Sequence, residues 1–591
     1  MVLFSFLFRV RLPKNRPLRR NLSSIYSSLP QDWFQMTRRL FFLLLCSLTL
    51  WLSLPAPADD PKPNPENPDL AAADQLYKSG KFAEAADKYQ AIVKADPQQV
   101  GAQAGLIRSL LREQKVDDAF AAANSALAAQ PNSAPLLAAT GEVDFRRGQM
   151  PEAEVAYQKA VKIDPKQVQA YLGLVRLYRA FSLYRHAYDE LQLAHQIAPN
   201  DPEVQRMWFS RLSRRERIAA IEAYLASPHP DNPEETESIQ RYLAFLKATI
   251  DKPVHACKLV SKVEQTDTKL EAMRRDPQHI FGYGLIVKLN GHDERLQLDT
   301  GASGIVIGRK AADKAGLTRI SEERYVGIGD KGLQTGYSAV AAQVRVGDLE
   351  FQDCIVHVSD RASITNEDGL VGADVFGSYL IDIDIPTEKL RLSPLPQRPD
   401  EAATAPTLNT EEESQANPEE KPEAGSDQKP EESGAAKGSE PRRRLPRDRY
   451  VAPEMAKWTP VFRFGHALLI PTHVNDSPSM LFLIDTGMNV NALSKRAASQ
   501  VTKVSIDPYT RMKGLSGNVS DVYRAQKATL VFGHFAQKNQ EIVTFDLSNI
   551  SSHLGTEVSG MLGFDMLHML QVKIDYRDGL VDFAYDPSRW H

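Results

Sequence analysis

The sequence predicts an α+β multidomain chain: an N-terminal helical α-solenoid, then two copies of one β domain. Three observations predict this. Prolines and alanines recur every 34 residues through the first part of the chain. From about Asp276 that period gives way to short β-branched runs broken by glycine. An Asp-Thr-Gly motif then occurs twice, 186 residues apart, in matching surroundings. The composition is that of a folded chain, with 42% apolar and 25% charged residues among 591. Lys plus Arg number 71 and Asp plus Glu 75, a net charge of −4, which gives no support to nucleic acid as a partner. The three cysteines lack C-x-x-C spacing and the 13 histidines lack H-E-x-x-H spacing, so neither a metal nor a cofactor is expected.

The leader, residues 1–58, reads as an address. Met36-Thr37-Arg38-Arg39 precedes an apolar run, Leu40 to Leu54, and Pro55-Ala56-Pro57-Ala58 supplies an A-x-A cleavage site. The run has 15 residues, short of the roughly 20 that span a bilayer. Met36–Ala58 is therefore expected to be a cleaved signal peptide, with translation starting at Met36 and a periplasmic or secreted product. The alternative is an uncleaved anchor, which alone would make the membrane a partner. Export permits a Cys257–Cys354 disulfide, which the sequence leaves undecided.

Helical repeats are expected over 66–275. Pro97, Pro131, Pro165, Pro199 and Pro233 lie 34 residues apart, as do Ala85, Ala119, Ala153 and Ala187. Small alanines let paired helices approach, glycines such as Gly80 and Gly148 end the first helix, and proline blocks continuation. The period and these residues resemble tetratricopeptide repeats. Four repeats are clear, and a fifth lacks alanine at Ile221 and suits a cap. Such solenoids offer a concave surface, here expected to take a protein partner or the substrate.

β structure is expected over 276–396 and again over 450–591. Between them, residues 397–449 are rich in Glu, Pro, Ser, Gly and Lys with almost no aromatics, the composition of a disordered linker.

The two β segments align from their Asp-Thr-Gly motifs. Leu296-Gln297-Leu298-Asp299-Thr300-Gly301 matches Phe482-Leu483-Ile484-Asp485-Thr486-Gly487. Gly347 and Gly533 each follow their aspartate by 48 residues, and Gly369–Asp374 matches Gly560–Asp565. Each half resembles a retropepsin-like aspartic protease domain, and two halves in one chain resemble the bilobal pepsin arrangement, which implies two retropepsin-like β-barrel domains forming a pseudo-dimer. The resemblance implies peptide-bond hydrolysis by an Asp299/Asp485 dyad sharing one proton, with no cofactor or metal. It implies that Thr300 and Thr486 cross to the opposite half, and that Gly301 and Gly487 bring N–H groups to the carboxylates. Flap hairpins are implied near Gly327 and Gly329 in the first half and Gly514 and Gly517 in the second.

The second half departs from the family pattern at Met488, where a small residue is usual. That departure keeps two other readings open. One is a non-catalytic peptide-binding or scaffold protein with inactive barrels. The other is a protease assembled in trans from two first halves. Asp374 and Asp565 are expected to support a turn or a helix N-terminus rather than to do chemistry.

Overall fold

A computed structural model describes residues 68–251, 257–325, 328, 334–361, 367–399, 445–514 and 517–589. The leader with its signal segment, Gly327, Gly329 and residues 400–444 of the linker lie outside the described residues.

Eight helices form four antiparallel pairs: α1 (Pro68–Lys78), α2 (Phe82–Ala95), α3 (Val100–Arg112), α4 (Val116–Ala129), α5 (Ala134–Arg146), α6 (Met150–Ile163), α7 (Val168–Ala180) and α8 (Tyr184–Ile197). The repeated alanines are at most 3% exposed and fill the space between paired helices. The turn inside each pair places one residue at positive φ: Gly80, Gln114, Gly148 and Ser182, again 34 residues apart. Only two of the four are glycine. Three further helices follow, α9 (Pro202–Trp208), α10 (Arg214–Leu225) and α11 (Pro233–Thr249). Asp201, Ser213 and Asn232 accept hydrogen bonds from first-turn N–H groups at their N-termini.

Helical character does not continue to residue 275 as expected. After α11 the chain forms strands at Lys258–Leu259, Thr266–Lys269 and Glu271–Asp276. Thr266, Leu270 and Met273 are buried there, and a disulfide joins Cys257 to Cys354. The alternating run Thr-Asp-Thr-Lys extends a sheet by pairing Thr266–Lys269 with Lys389–Leu392, a gain that outweighs the helix preference of the following Lys-Leu-Glu-Ala-Met.

The first β domain is built on a nine-stranded sheet and the second on an eight-stranded sheet. In each, the strand entering Asp-Thr-Gly pairs in parallel with the later Gly-flanked strand: Leu296–Asp299 with Gly369–Gly372, and Phe482–Ile484 with Gly560–Leu562. A third sheet of six strands joins the halves. Its centre is the antiparallel pairing of Tyr379–Asp384 with Gln571–Asp575, register Ile381 to Ile574. This shared sheet fixes the halves as a pseudo-dimer.

The linker's ends are not free, contrary to the expectation for 397–449. Buried Arg398 pairs with buried Asp578, whose carboxylate also accepts from the Tyr450 N–H at 2.8 Å. Asp448 accepts from the Arg185 and His186 N–H groups at the start of α8, and the Arg449 N–H donates to Ser182 at 2.8 Å. Specific ion pairs hold these end residues where the bulk composition gives no sign of order.

The solenoid docks on the second β domain through its intra-pair turns. Gln114 accepts from Ser552 at 3.0 Å, the Arg146 carbonyl accepts from the Glu557 N–H at 2.9 Å, and the Phe145 carbonyl accepts from the Thr556 hydroxyl at 2.7 Å. Phe145 meets Phe464 and Phe181 meets Phe462, with ring centroids 6.0 and 5.2 Å apart. One apolar core runs from Phe145 and Tyr157 through Leu481 and Met488 to Phe545.

Candidate active site

Asp299 and Asp485 end equivalent strands at the junction of the halves. Each carboxylate is first held by its own loop. Gly301 N–H donates to Asp299 Oδ1 at 2.9 Å, and Gly487 N–H donates to Asp485 Oδ1 at 3.0 Å. Met488 N–H adds a third such bond, to Asp485 Oδ1 at 2.9 Å. The residue that departs from the family pattern therefore supports its aspartate through its backbone, while its thioether is buried.

The halves then interlock. Thr300 Oγ1 donates to the Ile484 carbonyl at 2.7 Å and accepts from the Thr486 N–H at 3.0 Å. Thr486 Oγ1 donates to the Leu298 carbonyl at 2.8 Å and accepts from the Thr300 N–H at 3.0 Å. Both threonines are buried, so these four bonds form without competition from water.

Each glycine faces the opposite aspartate. A methyl group on Gly301 would sit 2.7 Å from Asp485 Cγ, and one on Gly487 would overlap the Asp299 carboxylate. Two carboxyls are thus brought against one two-fold axis. Burial raises the Asp299 pKa, opposed by the Gly301 N–H and a hydrogen bond from Asp485. Burial, then the Asp299 charge, raises Asp485 well above its ordinary value. Two buried carboxyls this close disfavour double ionisation, so they titrate as a unit.

The supporting residues differ between halves. In the first, Asp374 accepts from the Ser303 hydroxyl at 2.9 Å and the Gly304 N–H at 3.1 Å. It anchors the loop after Asp-Thr-Gly rather than capping the turn that follows its own glycine. In the second, Asn491 accepts from the Gly563 N–H at 2.9 Å and donates to Gln537 at 2.8 Å. Sequence reasoning missed Ser303, Asn491 and Gln537; a polar side chain shortly after each motif could have signalled the first two, and nothing local marks Gln537.

The flap positions behave unequally. The second hairpin pairs Met512–Gly514 with Gly517–Val519. Gly514 lies against Ile328 of the first hairpin, so close that a methyl group on it would meet Ile328 Cβ at 2.7 Å. The arms of that first hairpin, Thr318–Tyr325 and Gln334–Val346, are paired. The two hairpins meet at Ile328 and Gly514, and Met488 belongs to the apolar core that Ile328, Met512 and Val519 pack against.

Comparison with known proteins gives two family matches. The sequence matches the aspartyl protease family over residues 285–375 and 470–566. It matches the tetratricopeptide repeat family over residues 70–134. DNA damage-inducible protein 1 of Kluyveromyces lactis is 24% identical over 154 residues, 25% of this chain and 36% of that protein. UBA domain-containing protein Mud1 of Schizosaccharomyces pombe is 29% identical over 136 residues, 22% of this chain and 39% of that protein. The chain thus spans well under half the length of these relatives. Among solved structures, an aspartic proteinase from Irpex lacteus aligns with 55% of this chain and 98% of its own, at 11% identity and a TM-score of 0.32.

Proposed function

Because the chain carries two retropepsin-like aspartyl protease domains behind tetratricopeptide repeats, we propose that it is an exported aspartic endopeptidase. The observation that carries this reading is the crossed threonine lock, which holds both carboxyls against one another within a single chain. Asp299, as carboxylate, takes a proton from a water positioned between the two groups. Asp485 donates its proton to the scissile carbonyl oxygen as the water oxygen attacks the carbon. The tetrahedral intermediate then collapses: the C–N bond breaks, the departing nitrogen takes the proton held by Asp299, and the diol returns one to Asp485. Acid and free amine are released and the dyad is restored. The meeting flaps exclude water and hold an extended peptide over the dyad.

Assembly in cis is favoured by the same lock, which is complete between the two halves of one chain, and by the Met488 N–H bond to Asp485. Export is supported by the Cys257–Cys354 disulfide, since such bonds persist in oxidising compartments. The repeats recruit the substrate or a protein partner.

The test is cleavage of a mixed peptide library across pH 3–8 by the chain starting at Asp59, with products read by mass spectrometry. Internal cleavage with a single optimum on the acidic side is expected. A folded sample that cuts no peptide at any pH would replace hydrolysis with peptide capture.

A further inference from the structure

The inner face of the solenoid gathers arginines, of which Arg108 and Arg176 are balanced by Glu142 and Glu203. Helices α3, α5 and α7 lie side by side. Arg108, Glu142 and Arg176 occupy equivalent positions on them, 34 residues apart, and Arg112 and Arg146 lie one helical turn further on. Glu142 serves two cations, Arg108 at 3.5 Å and Arg176 at 3.7 Å. Arg112 is paired with Glu235 of α11. Arg108 Nη2 is buried and finds no acceptor among the described residues.

Arg146 and Arg179 stand apart from these pairs. Arg146 donates to the neutral Gln114 side chain, and Arg179 donates to the Ser210 hydroxyl at 3.3 Å. Burial comes first and neighbouring arginines next in lowering both: Arg176 and Arg112 act on Arg146, and Arg211 acts on Arg179. Partly buried cations set beside other cations cost stability, so their presence marks a place where an anion completes the set.

This cluster touches the second β domain. Arg146 Nη1 is 3.9 Å from the Cβ position of Gly555, at the end of the helix Ser548–Leu554 that carries His553. His553 is exposed, yet the surrounding protein and His466 lower its pKa. His466 also acts on Asp299.

We propose that the inner face of the solenoid, centred on Arg146, Arg176 and Arg179, is an exosite for an acidic segment of the polypeptide substrate. Carboxylate side chains of that segment pair with these guanidiniums while its continuation enters the cleft between the flaps. This rests on the endopeptidase reading, and its test needs binding alone.

The test uses the full mature chain bearing Asp485→Asn, with fluorescein-labelled peptides of one apolar core and a Glu-rich, Gln-rich or Lys-rich flank. Anisotropy at low and physiological salt is the readout. The Glu-rich peptide is expected to bind about tenfold or more tighter than the Gln-rich one, with the gain shrinking as salt rises. Arg146→Glu and Arg176→Glu are expected to remove that gain, Arg146→Lys to keep part of it, and Lys88→Glu on the exposed side of α2 to leave it intact. Arg146→Gln, checked by thermal melting, serves if a charge reversal fails to fold. Equal affinity for the Glu and Gln flanks overturns the exosite, as does unchanged preference in folded Arg146 and Arg176 variants. A preference that emerges only after residues 400–444 are deleted also overturns it, making that Glu-rich segment the occupant instead. Peptide cleavage without charge preference would leave the protease reading standing and remove only the exosite.

Discussion

Asp485→Asn is expected to have two opposite effects: loss of peptide hydrolysis and a higher melting temperature at neutral pH. The loss follows from removing the proton donor, a contribution of about 10²–10⁴-fold for general acid–base catalysis. The gain follows from linkage. Burial and the Asp299 charge raise the Asp485 pKa in the folded chain. Between its unfolded and folded values the folded chain binds more protons than the unfolded one. Stability therefore falls as pH rises through that window and stays low above it. Asparagine matches the shape, still accepts from the Gly487 and Met488 N–H groups through its carbonyl oxygen, and does not ionise. Thermal melting from pH 3 to 8 should show the variant above the wild type at pH 7, with the gap closing toward about pH 4, where a free aspartate protonates. A variant less stable than wild type at pH 7 would mean that the two carboxyls do not repel one another.

Gly487→Ala is expected to damage both stability and activity. Its Cβ overlaps the Asp299 carboxylate, which is fixed by the Gly301 N–H on one side and the threonine lock beneath. The carboxylate has no room to retreat without breaking that bond. Overpacking of this kind costs about 1–3 kcal/mol, and displacing a catalytic group by about 1 Å costs about 10²-fold in rate. Gly301→Ala should follow the same course against Asp485. The measurements are urea unfolding and kcat/KM on a cleaved peptide. Near-normal activity in either variant would show that the carboxyls do not lie where the opposite glycine faces.

Much of this architecture was legible because it repeats. A 34-residue period announces the helix pairs, and the positive-φ turn falls on Gly80, Gln114, Gly148 and Ser182 in the same register. Two Asp-Thr-Gly motifs in matching surroundings announce the paired barrels and the residues that meet at their junction. What was missed lacks a repeat to give it away. The strand Thr266–Lys269 is followed by strong helix formers, and its stability comes from a partner more than 120 residues away. Arg398 and Asp448 are single charges within a low-complexity run, and only their distant partners Asp578, Arg185 and His186 order them. Met488 looked like a defect because its side chain is large, whereas its backbone N–H contacts Asp485. The docking of the solenoid on the second domain uses turns whose sequence the repeat already accounts for, so no residue there signals a second role.

The central claim is that one chain holds a complete dyad that hydrolyses peptides. The most direct measurement compares cleavage by the wild type, Asp299→Asn, Asp485→Asn, and an equimolar mixture of the two variants incubated together. Cleavage by the wild type alone, with both variants and their mixture silent, is the predicted result. Activity that survives in either variant, or that returns on mixing, would contradict it.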